Sequence, residues 1–166
     1  GPIIAVPQCS TIPMQWILSS SGGSSEIAAR FGLGLAVAKF INGFVQPDVV
    51  DVYRKKFEPS QQFPEPHAIM SISVLCGETE EKAAAMRKYL DYILLQFEKG
   101  NFHNIAAPND IANYTFSSFE LDRIKHNSGR VISGTPDSVK EQVTQLLNNF
   151  GVDEFIISTI AGNANG

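Results

Sequence analysis

The stretch that decides the fold, Gln15–Ile41, reads QWILSSSGGSSEIAARFGLGLAVAKFI. Its first six residues predict a short strand, because they contain the apolar run Trp16–Leu18 and a cluster of serine and glycine follows them. The next part predicts a helix that has Ser24 or Ser25 as its N-cap and ends at a glycine. The continuous apolar run Leu35–Ile41 predicts a second strand that is covered on both faces. A strand, a turn, a helix and a strand in this order indicate a β/α unit with parallel strands.

The rest of the chain continues the alternation of strands and helices. Proline, threonine and glycine mark the ends of the helices, and acidic residues lie at the start of the longest one. We predict helices over Pro47–Phe57, from the cap Thr79 to Gly100 and from the cap Thr135 to Gly151, and strands over His67–Glu78 and Glu154–Thr159. The chain therefore has four predicted strands separated by helices, which is typical of the α/β class.

The length of 166 residues fits one domain, residues 1–166, because a domain has roughly 150 residues. Between residues 101 and 129, proline, asparagine and glycine break the pattern, which predicts an irregular insertion that is briefly helical over Ser118–Lys125. Two architectures fit four parallel strands: a small open sheet, or half of a (β/α) barrel, whose complete form needs eight strands and about 250 residues. In a half-barrel both outer strands have free edges, which favour pairing with another chain.

The composition excludes several classes of function. Seventeen acidic and 13 basic residues give a net charge of −4, which has the wrong sign for a protein that binds nucleic acid. The apolar runs stop well short of the roughly 20 residues that a membrane-spanning helix needs. Cys9 and Cys76 form no CxxC pair and are too few for a disulfide framework, so we expect a cytoplasmic protein. The histidines His67, His103 and His126 lack the spacing of metal ligands, and we expect no metal.

The serine and glycine cluster after the first strand is the candidate binding site. A strand end, a glycine-containing turn and a helix N-terminus coincide there, so free N–H groups and the helix dipole favour a negative charge. Glycine lets a phosphate approach the backbone, and serine hydroxyl groups are further donors. An isolated run of this composition is ordinarily a flexible linker, but its place between a strand and a helix favours a site. The predicted phosphate-binding residues are Ser20, Ser21, Gly22, Gly23 and Ser24.

Five segments follow one another along the chain in a fixed order: PMQWILSSSGGSSEIAARFGLGLAVAKFIN, YRKKFEPS, GETEEKAAAM, ISGTPDSVKEQVTQLL and DEFIIST. This set resembles the C-terminal half of the luciferase-like flavin monooxygenases, which are related to bacterial alkanal monooxygenase. The resemblance covers about Pro13–Thr159, nearly the whole chain, and the ordered set is more specific than any one segment. It implies a TIM-type (β/α)8 barrel of which this chain supplies the fifth to eighth strands.

The resemblance also implies a cofactor and a reaction. Members of this family hold reduced FMN, or in some branches a deazaflavin, at the carboxyl ends of the strands. Their turn after the fifth strand binds the flavin phosphate, and it matches Ser21, Gly22, Gly23 and Ser24 in this sequence. The reduced flavin and O2 oxidise a small organic substrate, and a separate flavin reductase is one source of the reduced flavin.

Nothing in this sequence corresponds to the first four strands of the family, which carry the main contacts to the flavin ring. We therefore assign no catalytic residue, and we expect the isolated chain to be inactive without an N-terminal half. Lys39 and Phe40 lie at the predicted end of the second strand, where side chains approach the ring, although a lysine there is ordinarily solvated. Cys76, near the end of another strand, is expected to be a buried and inert thiol.

Two other functions fit the same residues. In the first, the chain is a natural half-barrel that binds a flavin or a phosphorylated ligand without turnover and self-associates into a homodimer. In the second, the chain is a small open α/β sheet that binds another phosphate-bearing metabolite at the same turn. Titration with FMN, sugar phosphates and inorganic phosphate would rank the three hypotheses.

Overall fold

The computed structural model describes residue 6 and residues 11–101 and 106–159. The strands within these ranges are β1 (Trp16–Ser19), β2 (Gly34–Ala38), β3 (Ala68–Cys76), β4 (Val131–Gly134) and β5 (Glu154–Ser158). The α-helices are α1 (Gly22–Arg30), α2 (Asp48–Lys56), α3 (Glu80–Glu98), α4 (Pro108–Ala112), α5 (Ser118–Asn127) and α6 (Pro136–Phe150). None of the helices in the described ranges combines the length and the apolar character that crossing a bilayer requires.

All strand pairs of the described sheet are parallel. β1 pairs with β2, while β2 and β5 pair with the same part of β3 and so lie on its two opposite edges. β4 pairs with the last four residues of β3, over Ser73–Cys76. Because Ser73 pairs with both Val131 of β4 and Ser158 of β5, β4 lies on the same edge as β2. The order β1, β2, β3, β5 follows the chain, as in a barrel, and it confirms the predicted α/β class with parallel strands.

β4 is a strand that the sequence patterns do not predict. β4 has only the four residues VISG, and Thr135 alone separates it from α6. The sequence therefore indicates a short link to that helix rather than a strand. A contact with a distant part of the chain fixes the position of β4. The backbone of Gly43, in the loop after β2, packs so closely on that of Gly129 that a Cβ atom at Gly43 would lie only 2.7 Å from the Gly129 carbonyl carbon. The loop after β2 therefore touches the residues before β4, and β3 supplies the pairing edge.

The main core lies between one face of the sheet and the helices α1, α2 and α6. It includes Leu35, Val37, Val50, Tyr53, Met70 and Ile72, each at most 2% exposed. Since side chains alternate between the two faces of a strand, Leu18, Ala36, Ser71 and Ile156 point to the opposite side, which we call the inner face. Leu18 and Ile156 are 57% and 51% exposed there. The inner face is thus the side that the interior of a complete barrel would occupy.

The predicted ends of the long helices are confirmed. The hydroxyl of Thr79 accepts the N–H of the third residue of α3, and α6 begins with Pro136 directly after its N-cap Thr135. Gly100 and Gly151 follow α3 and α6 with φ angles of 78° and 60°, a left-handed conformation that favours glycine.

β2 ends at Ala38, three residues before the predicted end at Ile41. The reason is a tight turn, since the N–H groups of Ile41 and Asn42 both donate to the carbonyl oxygen of Ala38. The apolar character of the run continues past this point, so composition alone places the end of the strand too late.

The segment predicted as an irregular insertion contains α4 and α5 within its described residues. The helical stretch predicted over Ser118–Lys125 corresponds to α5, whereas α4 was not predicted. Ser117 caps α5 through a capping box with Glu120, whose buried carboxylate also accepts hydrogen bonds from Lys99 and Tyr114. The Lys99 Nζ to Glu120 Oε1 distance is 2.7 Å, so α5 is tied to the end of α3 by a shielded ion pair.

Protonation of Glu120 at low pH should break the ion pair between Lys99 and Glu120 and destabilise the fold. Replacing Glu120 by glutamine should remove this part of the dependence of stability on pH. The hydrogen bond from Lys99, followed by that from the Ser117 N–H, lowers the pKa of Glu120 from 4.5 to about 2. A depressed pKa in the folded state stabilises the fold above the unfolded pKa, and this contribution is lost as the pH falls from about 4.5 to about 2. We expect urea midpoints of the wild type to fall over this window and those of Glu120→Gln to fall less. Parallel curves for the two proteins would contradict this assignment.

Candidate functional site

The turn between β1 and α1 is built differently from its prediction. α1 begins at Gly22, with Ser21 in an extended conformation (φ −155°, ψ 163°) as its N-cap, and neither Ser24 nor Ser25 is the cap. The reason is that Ser25 is buried and its hydroxyl donates to the carbonyl oxygen of Gly22 at 2.6 Å, inside the first helical turn. Both glycines of the cluster therefore belong to the helix rather than to a loop.

Contacts from two sides fix the backbone of this turn. The buried Ser19 Oγ donates to the carbonyl oxygen of Ser21 at 2.6 Å. The side-chain nitrogen of Asn42, in the loop after β2, donates to the carbonyl oxygen of Ser20 at 2.7 Å. The Asn42 Oδ1 in turn accepts the N–H of Phe44 at 3.0 Å, so the two loops form one unit. Asn42 was not a predicted site residue, and its position before a glycine just after a strand indicates only a turn.

The five predicted residues come together at an open helix start. Ser21, Gly22 and Gly23 are exposed, and a Cβ atom added at either glycine would meet no atom within 4 Å. The hydroxyl of Ser21 makes no capping hydrogen bond. The first N–H groups of an α-helix have no acceptor within the helix, so they and this hydroxyl are available to a ligand. Room beside the backbone and free donors are what a phosphate group needs.

The charges around the turn leave its positive end uncompensated. Residues 20–24 carry no ionisable side chain, so an anion would be held by N–H groups, hydroxyls and the helix dipole. The nearest acidic residue along the helix, Glu26, pairs with Lys56 at 2.9 Å. The Glu26 carboxylate is thereby balanced by a cation from α2.

Lys39 lies on the helix side of the sheet. Its ammonium group donates to the carbonyl oxygen of Gly43 at 2.9 Å and stands 5.8 Å from the centre of the Phe150 ring. Burial lowers the pKa of Lys39. Its role in the structure is to hold the loop after β2, and its approach to a flavin ring stays a prediction, as does that of Phe40, which is 40% exposed.

Cys76 is exposed, and its predicted burial is wrong. It is the last residue of β3, where the strand runs past the end of β5, and its partner on the other edge is Gly134 of β4, which has no side chain to cover it. Cys76 lines a cavity of about 900 Å³ where the ends of β3 and β5 meet α3 and α4. None of residues 20–24 lines this cavity, so it is a feature separate from the turn.

The described residues bring no three histidine, cysteine, aspartate or glutamate side chains together as metal ligands. His67 directly precedes β3, and its ring centre lies 5.5 Å from that of Trp16. The ring centre of His126 lies 4.9 Å from that of Phe44. Cys9 and His103 lie outside the described residues.

Comparison with known proteins adds independent information. No protein-family model matches the chain. The chain is 37% identical over 159 residues to the uncharacterized protein YwcH of Bacillus subtilis (strain 168), which covers 95% of this chain and 48% of YwcH. It is 20% identical over 143 residues to the luciferase-like monooxygenase of Escherichia coli (strain K12), covering 86% of this chain and 43% of that protein. The chain thus spans about half the length of the curated relatives it matches.

A solved structure shares the fold. The crystal structure of apo-MsnO8 superposes with a TM-score of 0.76 and 24% identity, covering 98% of this chain and 50% of MsnO8. At this identity the likeness concerns the fold alone. It confirms that the parallel sheet and its helices have the fold of about half of a TIM-type barrel, as the strand order indicates.

Proposed function

Since the chain belongs to the luciferase-like flavin monooxygenase family, we propose that it is the part of a flavin-dependent monooxygenase that holds the phosphate end of FMN. The observation that carries this proposal is the open start of α1 at the carboxyl end of β1. Ligands of parallel β/α proteins bind at the carboxyl ends of the strands, which is where this turn lies. The proposed contacts are Ser20, Ser21, Gly22, Gly23 and Ser24.

The residues of the turn fit a phosphate group. The space beside Gly22 and Gly23 is one that a Cβ atom would fill, and the exposed hydroxyl of Ser21 stands at the same helix start. A phosphate dianion gains from several N–H donors and from the positive end of the helix dipole, whereas an uncharged group gains little. The turn therefore favours FMN over riboflavin, which lacks the phosphate.

These contacts indicate which part of the proposed reaction depends on this chain and which part depends on the flavin. When bound, reduced FMN supplies the electrons with which O2 oxidises a small organic substrate. This chain anchors the phosphate, and the contacts of Ser19 and Asn42 keep the donors of the turn in place. No catalytic residue is assigned in this chain, and we expect it to bind flavin without turnover when alone.

A flavin titration tests the proposal. Fluorescence of FMN, riboflavin and a phosphate-bearing deazaflavin is followed as the chain is added, with inorganic phosphate and a sugar phosphate as competitors. We expect FMN to bind, riboflavin to bind at least about tenfold more weakly, and phosphate to compete. Equal affinities for FMN and riboflavin, or no binding of FMN, would overturn the proposal. Tighter binding of the deazaflavin or of the sugar phosphate than of FMN would show that this compound, and not FMN, is the ligand of the turn.

Replacing Asn42 by alanine should weaken FMN binding without affecting riboflavin binding. The substitution removes the 2.7 Å hydrogen bond that holds the Ser20 carbonyl in place. Its loss should weaken the free energy of FMN binding by about 0.5–1.5 kcal/mol, which corresponds to roughly a two- to tenfold loss in affinity. Gln46→Ala is a matched control, because this exposed amide donates only to the carbonyl oxygen of Phe44. The same loss for both variants would show that Asn42 acts on the loop alone.

A second candidate function, a binding half-barrel that pairs with a second copy of itself, is favoured by the edges of the sheet. In the described part of the chain, β1 has only β2 as a partner and β5 has only β3. Leu18 and Ile156 are more than half exposed on the inner face of these edge strands. Two copies would supply eight strands and cover this face.

Sedimentation at several concentrations decides between the two candidates. Self-pairing predicts a dimer that Ile156→Lys dissociates, since a charge on the inner face opposes its burial. A monomer at all concentrations would exclude the self-pairing half-barrel and leave the flavin proposal in place.

A further inference from the structure

Two glycines that are far apart in the sequence bring their backbones together. Gly43 lies in the loop after β2 (residues 39–47), and Gly129 lies in the short 3₁₀ helix Ser128–Arg130 that precedes β4. A Cβ atom at Gly129 would lie 2.7 Å from the carbonyl oxygen of Gly43, well inside the roughly 3.5–4.0 Å of an ordinary carbon contact. An alanine at either position would therefore force the backbone of one segment to move.

The carbonyl oxygen of Gly43 is also the acceptor for Lys39. The half-buried ammonium group of Lys39 donates to this oxygen at 2.9 Å and stands 5.8 Å from the centre of the Phe150 ring. The peptide of Gly43 is thus held from two sides, by a hydrogen bond from the end of β2 and by the backbone of Gly129. Since Asn42 directly precedes this peptide, the same contacts fix the place from which its side chain reaches the turn between β1 and α1.

The segment around Gly129 is the firmly held side of this contact. Asn127 is 2% exposed, and its side-chain nitrogen donates to the carboxylate of Glu98, the last residue of α3, at 2.8 Å. Arg123 donates to the same carboxylate at 3.0 Å. Phe44, which follows Gly43 in the loop after β2, is 57% exposed. A side chain added at Gly129 should therefore displace the loop rather than the end of α5.

A second contact joins the same two segments. The ring centres of Phe44 and His126 lie 4.9 Å apart. The N–H of Phe44 donates to the Asn42 Oδ1 at 3.0 Å. The side chain of Asn42 is thus connected to the segment before β4 by two routes, through Gly43 to Gly129 and through Phe44 to His126.

We infer that Gly129 is a positioning residue for phosphate binding and that it acts through Asn42. The inference rests on the proposed function, because the phosphate of FMN is the group that the turn is proposed to hold. Gly129 sets the position of the Gly43 peptide, and Asn42 then donates to the carbonyl oxygen of Ser20 at 2.7 Å. This oxygen lies directly before the N–H donors at the start of α1. The segment before β4 thereby controls the geometry of a site that it does not touch.

Gly129→Ala should lower the affinity for FMN about two- to fivefold and leave that for riboflavin unchanged. The displaced loop weakens the bond from Asn42 to Ser20, so the effect stays within the range for removing that bond. Ser128→Ala is the matched control, because it changes an exposed neighbour without adding bulk at the contact. Val152→Ala controls for stability, since Val152 is 4% exposed and precedes β5 at the opposite end of the sheet. Both controls should bind FMN like the wild type.

A double variant tests the route. In an Asn42→Ala background, Gly129→Ala should cause no further loss of FMN affinity, because the bond through which it acts is already absent. Additive losses would show that Gly129 does not act through Asn42 and would overturn the inference. An equal loss of affinity for FMN and riboflavin, or the same loss in Val152→Ala, would also overturn it, since either result indicates general damage to the fold.

The ligand-free protein gives a readout that is independent of FMN. With 15N labelling, Gly129→Ala should shift the side-chain amide resonance of Asn42, identified by its absence in Asn42→Ala, and the backbone resonances of Gly22 and Gly23. Fixed resonances would overturn the inference. Shifted resonances in a chain whose wild type does not bind FMN would retain Gly129 as a positioning residue of the turn and remove the proposed function. FMN binding that Gly129→Ala leaves unchanged would retain the proposed function and remove the inference.

Discussion

Gly23→Asp is expected to lower the affinity for FMN about a hundredfold while leaving the fold intact or slightly more stable. An aspartate there places a carboxylate beside the proposed phosphate position, and like charges in contact cost several kcal/mol. The same carboxylate favours the helix, because Gly23 lies in the first turn of α1 with open space for a side chain. Removing glycine and adding an acid near a helix N-terminus contribute together roughly 0.5–1 kcal/mol of stability.

Binding and stability should therefore change in opposite directions. FMN and riboflavin titrations and urea unfolding of the same protein measure both. Ile27→Asp is the matched control, since it adds the same charge to the same helix at an exposed position beyond the first turn. Gly22→Leu tests bulk without charge, and it should weaken FMN binding much more than folding. If the Gly22 and Gly23 variants bound FMN as tightly as the wild type, the assignment of the phosphate site to this turn would be wrong.

Tyr53→Ala is expected to lower the free energy of unfolding by about 3–5 kcal/mol, which is the range for removing a buried aromatic ring. Tyr53 is fully buried in α2 and packs against β2 and β3 in the main core. Its hydroxyl donates to the carbonyl oxygen of Leu33 at 2.8 Å and accepts the N–H of His67 at 3.1 Å. One side chain thus joins the starts of two neighbouring strands to the helix between them.

Tyr53→Phe separates the hydroxyl from the ring. It keeps the packing but leaves the His67 N–H and the Leu33 carbonyl without this partner, which should cost about 1–3 kcal/mol. Tyr92→Phe, at a half-buried ring, should change the stability by less than about 0.5 kcal/mol. Urea unfolding of all three variants measures these values. Equal effects of Tyr53→Phe and Tyr92→Phe would contradict the bridging role.

The sequence predicts well those elements whose ends are specified locally. Thr135, Pro136 and Gly151 each act within one helical turn, so the bounds of α6 follow from the residue types. The start of α1 does not follow from the residue types, because it depends on the burial of the Ser25 hydroxyl. The sequence alone does not distinguish a buried serine from an exposed one. The composition of the Ser20–Ser24 cluster indicates an open turn in either case.

Features that depend on distant contacts could not be predicted. β4 exists because β3 continues beyond β2 and offers a free edge, and its four residues contain no strand pattern of their own. The bond from Asn42 to Ser20 spans 22 positions of the chain. The exposure of Cys76 depends on how far β5 extends along β3. In each case a tertiary contact decides the outcome, and residue type carries little information about it.

The backbone amides of the turn offer the most direct measurement. With the chain labelled with 15N, the resonances of Gly22 and Gly23 are followed while FMN or riboflavin is added. If these N–H groups hold the phosphate, both resonances shift and saturate with FMN and remain in place with riboflavin at equal concentration. Resonances that stay fixed with FMN, or that move equally with riboflavin, would contradict a phosphate site at the start of α1.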